Sequence, residues 1–266
     1  MDKLEQSEKQ KNKWKNRVSQ EIKLAMNVQK KLMPKRDIKN YPIFGLNIPA
    51  REISGDFYDF YLHDDEVYFT LSDVSGKGVN AGMVMAKAIT LFKIFAKQKF
   101  KPNEILLEMN NDLKETNPVG TFITSIVGRY NIKTDLVEIA NAGHQPALLK
   151  IEKEFKEFKS SSVPLAVTKH KDESAYQLES FKLEGGRIYC FTDGFSECMD
   201  ENKQEIGIEG VKKLILKHEN SSLKKELENA TEEIRLKTLK IGTLEKGIKE
   251  NNDILDDDLT IIGIGK

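Results

Sequence analysis

The chain has 266 residues, 32% charged and 39% hydrophobic, which is the composition of a globular protein with a sizeable core in one or two domains. Its 42 basic and 42 acidic residues cancel, so bulk charge gives no case for a nucleic-acid partner. Two cysteines, Cys190 and Cys198, stand outside any CxxC pair, which argues against a disulfide framework or a structural zinc site and fits a reducing cytosol. No uninterrupted apolar run approaches the ~18 residues that span a bilayer, and the charged N-terminus lacks the apolar core of a signal segment. The expected location is cytoplasmic, with no transmembrane segment.

Residues 1–33 read as one helix, with no glycine or proline before Pro34. Val18, Ile22, Ala25 and Leu32 recur at alternating steps of four and three, with Gln29 in the remaining seam position. Residues 1–36 hold 11 Lys/Arg and 4 Asp/Glu, a net of +7. The pattern suits a stripe packed on the following domain. It also suits a dimerising or signal-relaying helix, with a polar seam residue setting register. A basic nucleic-acid arm is a third reading that rests on charge alone. The expected division is a regulatory or linker helix over 1–36 and a second domain over 37–266.

Beyond residue 43 the texture changes. Residues 57–71 read as a hairpin around His63, Asp64 and Asp65. Residues 80–98 and 102–115 read as helices, the second opened by Pro102. Further hairpins are expected over 121–130 with 135–142, over 146–151 with 154–158, and over 176–183 with 187–192 around Gly185-Gly186. Residues 208–250 read as mostly helical, and 259–265 as a closing strand. Hairpins with segregated helices make an α+β pattern, not the βαβ alternation of a parallel sheet.

The stretch 73-DVSGKG-78 looks at first like a phosphate loop, but its glycines miss the spacing of both the Walker A and the dinucleotide fingerprints. Its acid has company. Asp56 precedes the first hairpin, Asp73 ends a strand, Asp193 follows another, and Asp257 with Asp258 precedes the last. One such Asp alone is most simply a turn or cap residue. Four segments with the same placement suggest a shared rim, where carboxylates would repel unless hard cations such as Mg²⁺ or Mn²⁺ sat among them.

Six motifs carry a family resemblance: 54-SGDFYD-59, 73-DVSGKG-78, 121-TFIT-124, 141-NAGH-144, 191-FTDG-194 and 257-DDLT-260. In this order they resemble the SpoIIE/RsbU branch of the PPM metal-dependent protein phosphatases, from about residue 45 to the C-terminus. Residues 25–34 also resemble the helix that precedes the catalytic domain in that branch. The resemblance implies a four-layer αββα sandwich of two antiparallel sheets flanked by helices, with an N-terminal helical extension. It implies a site for two ions, Mn²⁺ or Mg²⁺, with Asp73 bridging both. The Val74 carbonyl and Asp56 would bind one ion. Asp193 and Asp257 would hold the other, with Asp258 an alternative to Asp257. The implied reaction is hydrolysis of phosphoserine or phosphothreonine by metal-activated water, which calls for no covalent nucleophile.

By the same resemblance the substrate is a phosphorylated STAS-type anti-sigma-factor antagonist in bacterial partner switching. An upstream activator would act through the N-terminal helix, with or without homodimerisation. The competing reading is a non-catalytic regulatory scaffold of the same fold. Ser75 stands where many relatives carry a histidine, so the leaving-group acid is open. His144 reads first as structural, with a direct role as the alternative; Lys77 reads first as a solvated turn lysine, with contact to the substrate phosphate as the alternative; His63, His170 and His218 read as surface residues. The 163-VPLAV-167 loop lacks a glycine usual in that branch, so a different loop shape is expected.

Overall fold

The computed structural model describes residues 3–35, 38, 41–200, 202–219, 222–246, 255 and 257–265. A first helix, α1 (Lys3–Leu32), is followed by β1 (Ile43–Ile48), β2 (Phe57–His63) and β3 (Glu66–Val74). Two helices come next, α2 (Val79–Lys97) and α3 (Pro102–Thr116). The middle of the chain is β4 (Ile123–Asn131), β5 (Leu136–Ala142), β6 (Ala147–Ile151), β7 (Glu154–Phe158), β8 (Leu178–Lys182) and β9 (Arg187–Phe191). The short α4 (Asp193–Ser196), α5 (Gly207–His218), α6 (Leu223–Lys246) and β10 (Leu259–Ile264) complete it.

The strands form two antiparallel sheets, ordered β1-β10-β9-β6-β7 and β2-β3-β4-β5-β8. Period-two alternation places their side chains in separate layers. On β3, Val67, Phe69 and Leu71 join the core between the sheets, while Tyr68 and Val74 join the core under α2 and α3. On β9 and β10, Ile188, Cys190, Ile262 and Ile264 face the other sheet. Tyr189, Phe191, Leu259 and Ile261 face α5 and α6. The result is the expected αββα sandwich with an N-terminal helical extension.

One expectation changes, and one strand was not foreseen. The segments over 176–183 and 187–192 are not a hairpin. β8 pairs with β5 and β9 pairs with β6 and β10, so residues 183–186 cross between sheets, with Leu183 filling the inter-sheet core. The strand β1 had no clear signal in the sequence, and it closes one sheet by pairing with the distant β10. In the 163–167 loop Ala166 has φ 66°, and its N–H donates to Asn110 Oδ1 at 2.9 Å. The helical stretch over 208–250 is two helices, and its end at 247–250 lies outside the described residues. By length and composition α2 is apolar enough to cross a membrane. Its Ala81, Val84, Met85, Ala88, Ile89, Phe92 and Ala96 pack into the core instead.

Helix α1 is tied to this body at its last turns. Lys93 of α2 donates to the Leu32 carbonyl at 2.9 Å and pairs with the fully buried Asp59 of β2 at 3.1 Å. Burial pushes the Asp59 carboxyl up to about 6, and Lys93 opposes that shift. Because folding raises this carboxyl, its contribution to stability is complete below its ordinary range and is lost as pH rises through about 6. Lys93→Met is therefore expected to cost about 1–3 kcal/mol at pH 7.5, where it leaves a buried charge unpaired, and clearly less at pH 5. Urea denaturation at the two pH values checks this.

Candidate active site

Strand parity predicts where the acids point. Asp73 continues the Val67-Phe69-Leu71 face of β3, and Asp56 shares parity with Tyr58 and Phe60, so both face the gap between the sheets. Thr192 continues the Ile188-Cys190 face, and Thr260 shares the Ile262-Ile264 face. Both threonine hydroxyls donate to Asp56 Oδ2 at 2.7 Å, so the carboxylate from one sheet is gripped by the edge of the other. Asp56 is buried. Burial, then the charges of Asp73 and Asp258, hold its carboxyl well above the usual range, and the two threonines offset this in part.

Asp73 is pushed up to about 7, first by burial and then by Asp193, with Asp257 and Asp258 adding to it. A side-chain hydrogen bond with Asp56 opposes the rise. Asp193 opens α4 directly after β9. Burial and then Asp257 raise its carboxyl, while its own N–H, that of Gly194 and the charge of Lys77 lower it. Asp257 accepts from Lys77 Nζ at 3.1 Å through Oδ2 and from the Asp258 N–H at 2.8 Å through Oδ1.

The two neighbouring acids do different work. Asp258 is buried and faces a convergence of donors from one loop. Its Oδ1 accepts from the Ala50 N–H at 2.7 Å. Its Oδ2 accepts from Ser54 Oγ at 2.6 Å and from the N–H groups of Gly55 at 3.1 Å and Asp56 at 3.5 Å. It braces the loop that carries Asp56; both acids line the pocket, and Asp257 is the half-exposed one. Close backbone approaches shape the same rim. A Cβ on Gly55 would stand 2.9 Å from the Val74 carbonyl oxygen, and one on Gly194 would stand 2.2 Å from the Asp258 carbonyl oxygen, so neither position has room for a side chain.

The pocket so formed measures about 90 Å³ and is lined by Asp73, Val74, Gly55, Lys77, Asp257 and Arg51, among others. Arg51 was not legible as a site residue in the sequence. It is exposed, and no ion pair involves it among the described residues. Ser54, Thr192 and Thr260 were also missed as positioning groups, although strand parity carried the signal for the threonines. Among the described residues no three Asp, Glu, His or Cys side chains form a closed metal-binding cluster. The acids of both sheets meet instead as charged neighbours around this pocket. Their all-oxygen donors and raised carboxyls fit a hard divalent cation, which would relieve their mutual repulsion.

Other sequence candidates take structural places. Gln29 is not a free seam residue: at 6% exposure its Nε2 donates to the Ser54 carbonyl at 2.7 Å and its Oε1 accepts from the Ser54 N–H at 3.1 Å. Ser75 exchanges hydrogen bonds with the Phe122 backbone, through its N–H at 3.0 Å and its Oγ at 2.9 Å. His144 is buried and bonded through Nδ1 to Thr124 Oγ1 at 2.7 Å, and Thr124 is the register partner of Asp73. His63 pairs with Asp64. His170 and His218 are half-buried rather than on the surface, one edge-on to Tyr176 and the other paired with Glu233. Both cysteines are buried, which raises their thiols and leaves neither a ready nucleophile.

A family model described as Stage II sporulation protein E (SpoIIE) matches residues 63–265. The chain belongs to the SpoIIE family. Its match takes in Asp73, Asp193 and Asp257 but starts after Asp56 and α1. The chain is 26% identical over 218 residues to phosphoserine phosphatase RsbU of Bacillus subtilis (strain 168), covering 80% of this chain and 64% of that protein. It is 25% identical over 237 residues to protein IcfG of Synechocystis sp., covering 74% of this chain and 37% of that protein. It thus spans less than two thirds of either. The fold is that of the SiaA-PP2C domain of Pseudomonas aeruginosa (TM-score 0.76, 17% identity, covering 95% of this chain and 97% of that one). It is also that of the SpoIIE phosphatase domain of Bacillus subtilis with a regulatory fragment (TM-score 0.66, 17% identity, 86% and 64%). RsbX solved with magnesium is a further relative in fold (TM-score 0.62, 16% identity, 88% and 100%).

Burial brings the His144 imidazole down to about 4, so it is neutral at pH 7. Unfolding therefore takes up a proton below the ordinary histidine range, and stability is expected to fall as pH drops from about 6.5 toward 4. His144→Asn should flatten that part of the pH–stability curve, read by thermal melts across the interval.

Proposed function

We propose that this protein is a metal-dependent phosphoprotein phosphatase acting on phosphoserine or phosphothreonine. The observation that carries the reading is the convergence of acids from both sheets: Asp73 and Asp257 line one pocket, and burial with neighbouring acids, Asp257 among them, raises the carboxyls of Asp56, Asp73 and Asp193. Asp56 and Asp73, with the Val74 carbonyl, would hold one ion. Asp193 and Asp257 would hold a second, with Asp73 shared. Asp258 is assigned to bracing the Asp56 loop rather than to a metal. Two Mn²⁺ or Mg²⁺ ions would supply Lewis-acid activation of water and charge compensation for the phosphoryl oxygens. Arg51 and Lys77 on the rim supply positive charge for the substrate phosphate. Ser75 is committed to the Phe122 backbone and His144 is neutral, so the leaving oxygen takes its proton from solvent.

Family membership and the relation to RsbU support a phosphorylated STAS-domain protein as substrate, in partner-switching signalling in the cytosol. Residues 1–36 are assigned the input. Gln29 clamps Ser54, Ser54 bonds Asp258, and Asp258 holds the N–H of Asp56, so α1 is linked by hydrogen bonds to a proposed metal ligand. An activator that moves α1 would shift the population of competent sites. Homodimerisation through α1 would use its outward Trp14, Leu24 and Val28, all well exposed.

With Mn²⁺, wild type is expected to release phosphate from p-nitrophenyl phosphate, and Asp73→Asn to lose at least about a hundredfold in kcat, the scale of removing a key charge-stabilising group. Equal Mn²⁺-dependent rates in the two would overturn the mechanism. Gln29→Ala is expected to change the Mn²⁺ concentration for half-maximal rate while leaving the thermal melt within a few degrees. If only the melt moves, Gln29 is a packing residue.

A further inference from the structure

We propose that Lys77 is a tethered competitor for the divalent cation at the Asp193–Asp257 half of the site. The proposal rests on the metal-dependent reading above. Both oxygens of Asp257 are engaged as the chain stands: Oδ1 accepts the Asp258 N–H, and Oδ2 accepts Lys77 Nζ at 3.1 Å. An ammonium 3.1 Å from Oδ2 repels a cation approaching the same oxygen, so the two compete for it. The ammonium thus does, at this half of the site, part of what a bound cation would do.

The backbone allows the residue to leave. Lys77 stands between Gly76 at φ 93° and Gly78 at φ 82°, and a Cβ on either glycine would meet nothing within 4 Å. The pair with Asp257 is half-exposed on both sides. An exposed lysine–carboxylate pair is weak, so a divalent ion displaces it without losing its site. Once displaced, the ammonium remains on the rim of the same pocket, where the substrate phosphate enters. One side chain thereby sets the cation concentration at which the site fills.

Isothermal titration of the full chain with MnCl₂ tests this. Compared are wild type, Lys77→Gln, Lys77→Arg and, as a surface control, Lys97→Gln on the exposed end of α2. Lys77→Gln is expected to bind Mn²⁺ about two- to fivefold tighter at the weaker site, the fold-change equivalent to an exposed ion pair. Lys77→Arg and Lys97→Gln should match wild type. Unchanged or weaker binding by Lys77→Gln overturns the proposal. Equal tightening in Lys77→Gln and Lys97→Gln overturns it too, because the effect would then be general surface charge. If wild type binds no Mn²⁺ at all, the metal reading of the four acids fails first; if wild type binds and Lys77→Gln is unchanged, only the role of Lys77 falls.

Discussion

The structure depends on keeping carboxylates at the mouth of the gap between two sheets. Burying even one such group costs several kcal/mol unless donors meet it. Here the donors come from across the gap. Thr192 and Thr260 of one sheet hold Asp56 of the other, and the backbone N–H groups of Ala50, Gly55 and Asp56 hold Asp258 beside β10. Each bond laces one sheet to the other at the end where the apolar packing stops. The sheets are joined along their length by Phe69, Leu71, Ile188, Ile262 and their neighbours, and at this rim by these hydrogen bonds.

That arrangement has a chemical consequence. Once the donors are assigned, Asp258 is committed largely to architecture, while Asp56, Asp73, Asp193 and Asp257 are not fully compensated by any fixed donor. Their carboxyls stand high, or rest on Lys77, because like charges share a partly dry pocket. A site of this kind stores repulsion that a cation relieves. The same lacing extends to α1, since Gln29 reaches Ser54, which contacts Asp258 in turn. Lys93 provides a second tie between α1 and the sandwich, through the Leu32 carbonyl and Asp59.

Much of this was legible before any coordinates. The hairpin β2–β3, the helices α2 and α3, and the closing strand follow from periodicity and from Pro102. The four strand-end acids followed from their common placement. The β8–β9 segment misled because two strands flanking Gly185-Gly186 look the same whether they pair with each other or part to separate sheets. Only Leu183, sunk between the sheets, decides for parting. The difference between Asp257 and Asp258 had no signature either, since adjacent identical residues are told apart only by which way each turns at the start of β10.

The sequence by itself determined the α+β class, the alternating faces of each strand and the set of acids, because these depend on local periodicity and residue chemistry. Tertiary structure decided which sheet each strand joins, that Gln29 faces Ser54 rather than a partner helix, that Asp258 braces while Asp257 meets Lys77, and that Arg51 lies on the pocket. Those facts depend on contacts between segments as far apart as Ser54 and Asp258, and no local pattern encodes a partner that far along the chain.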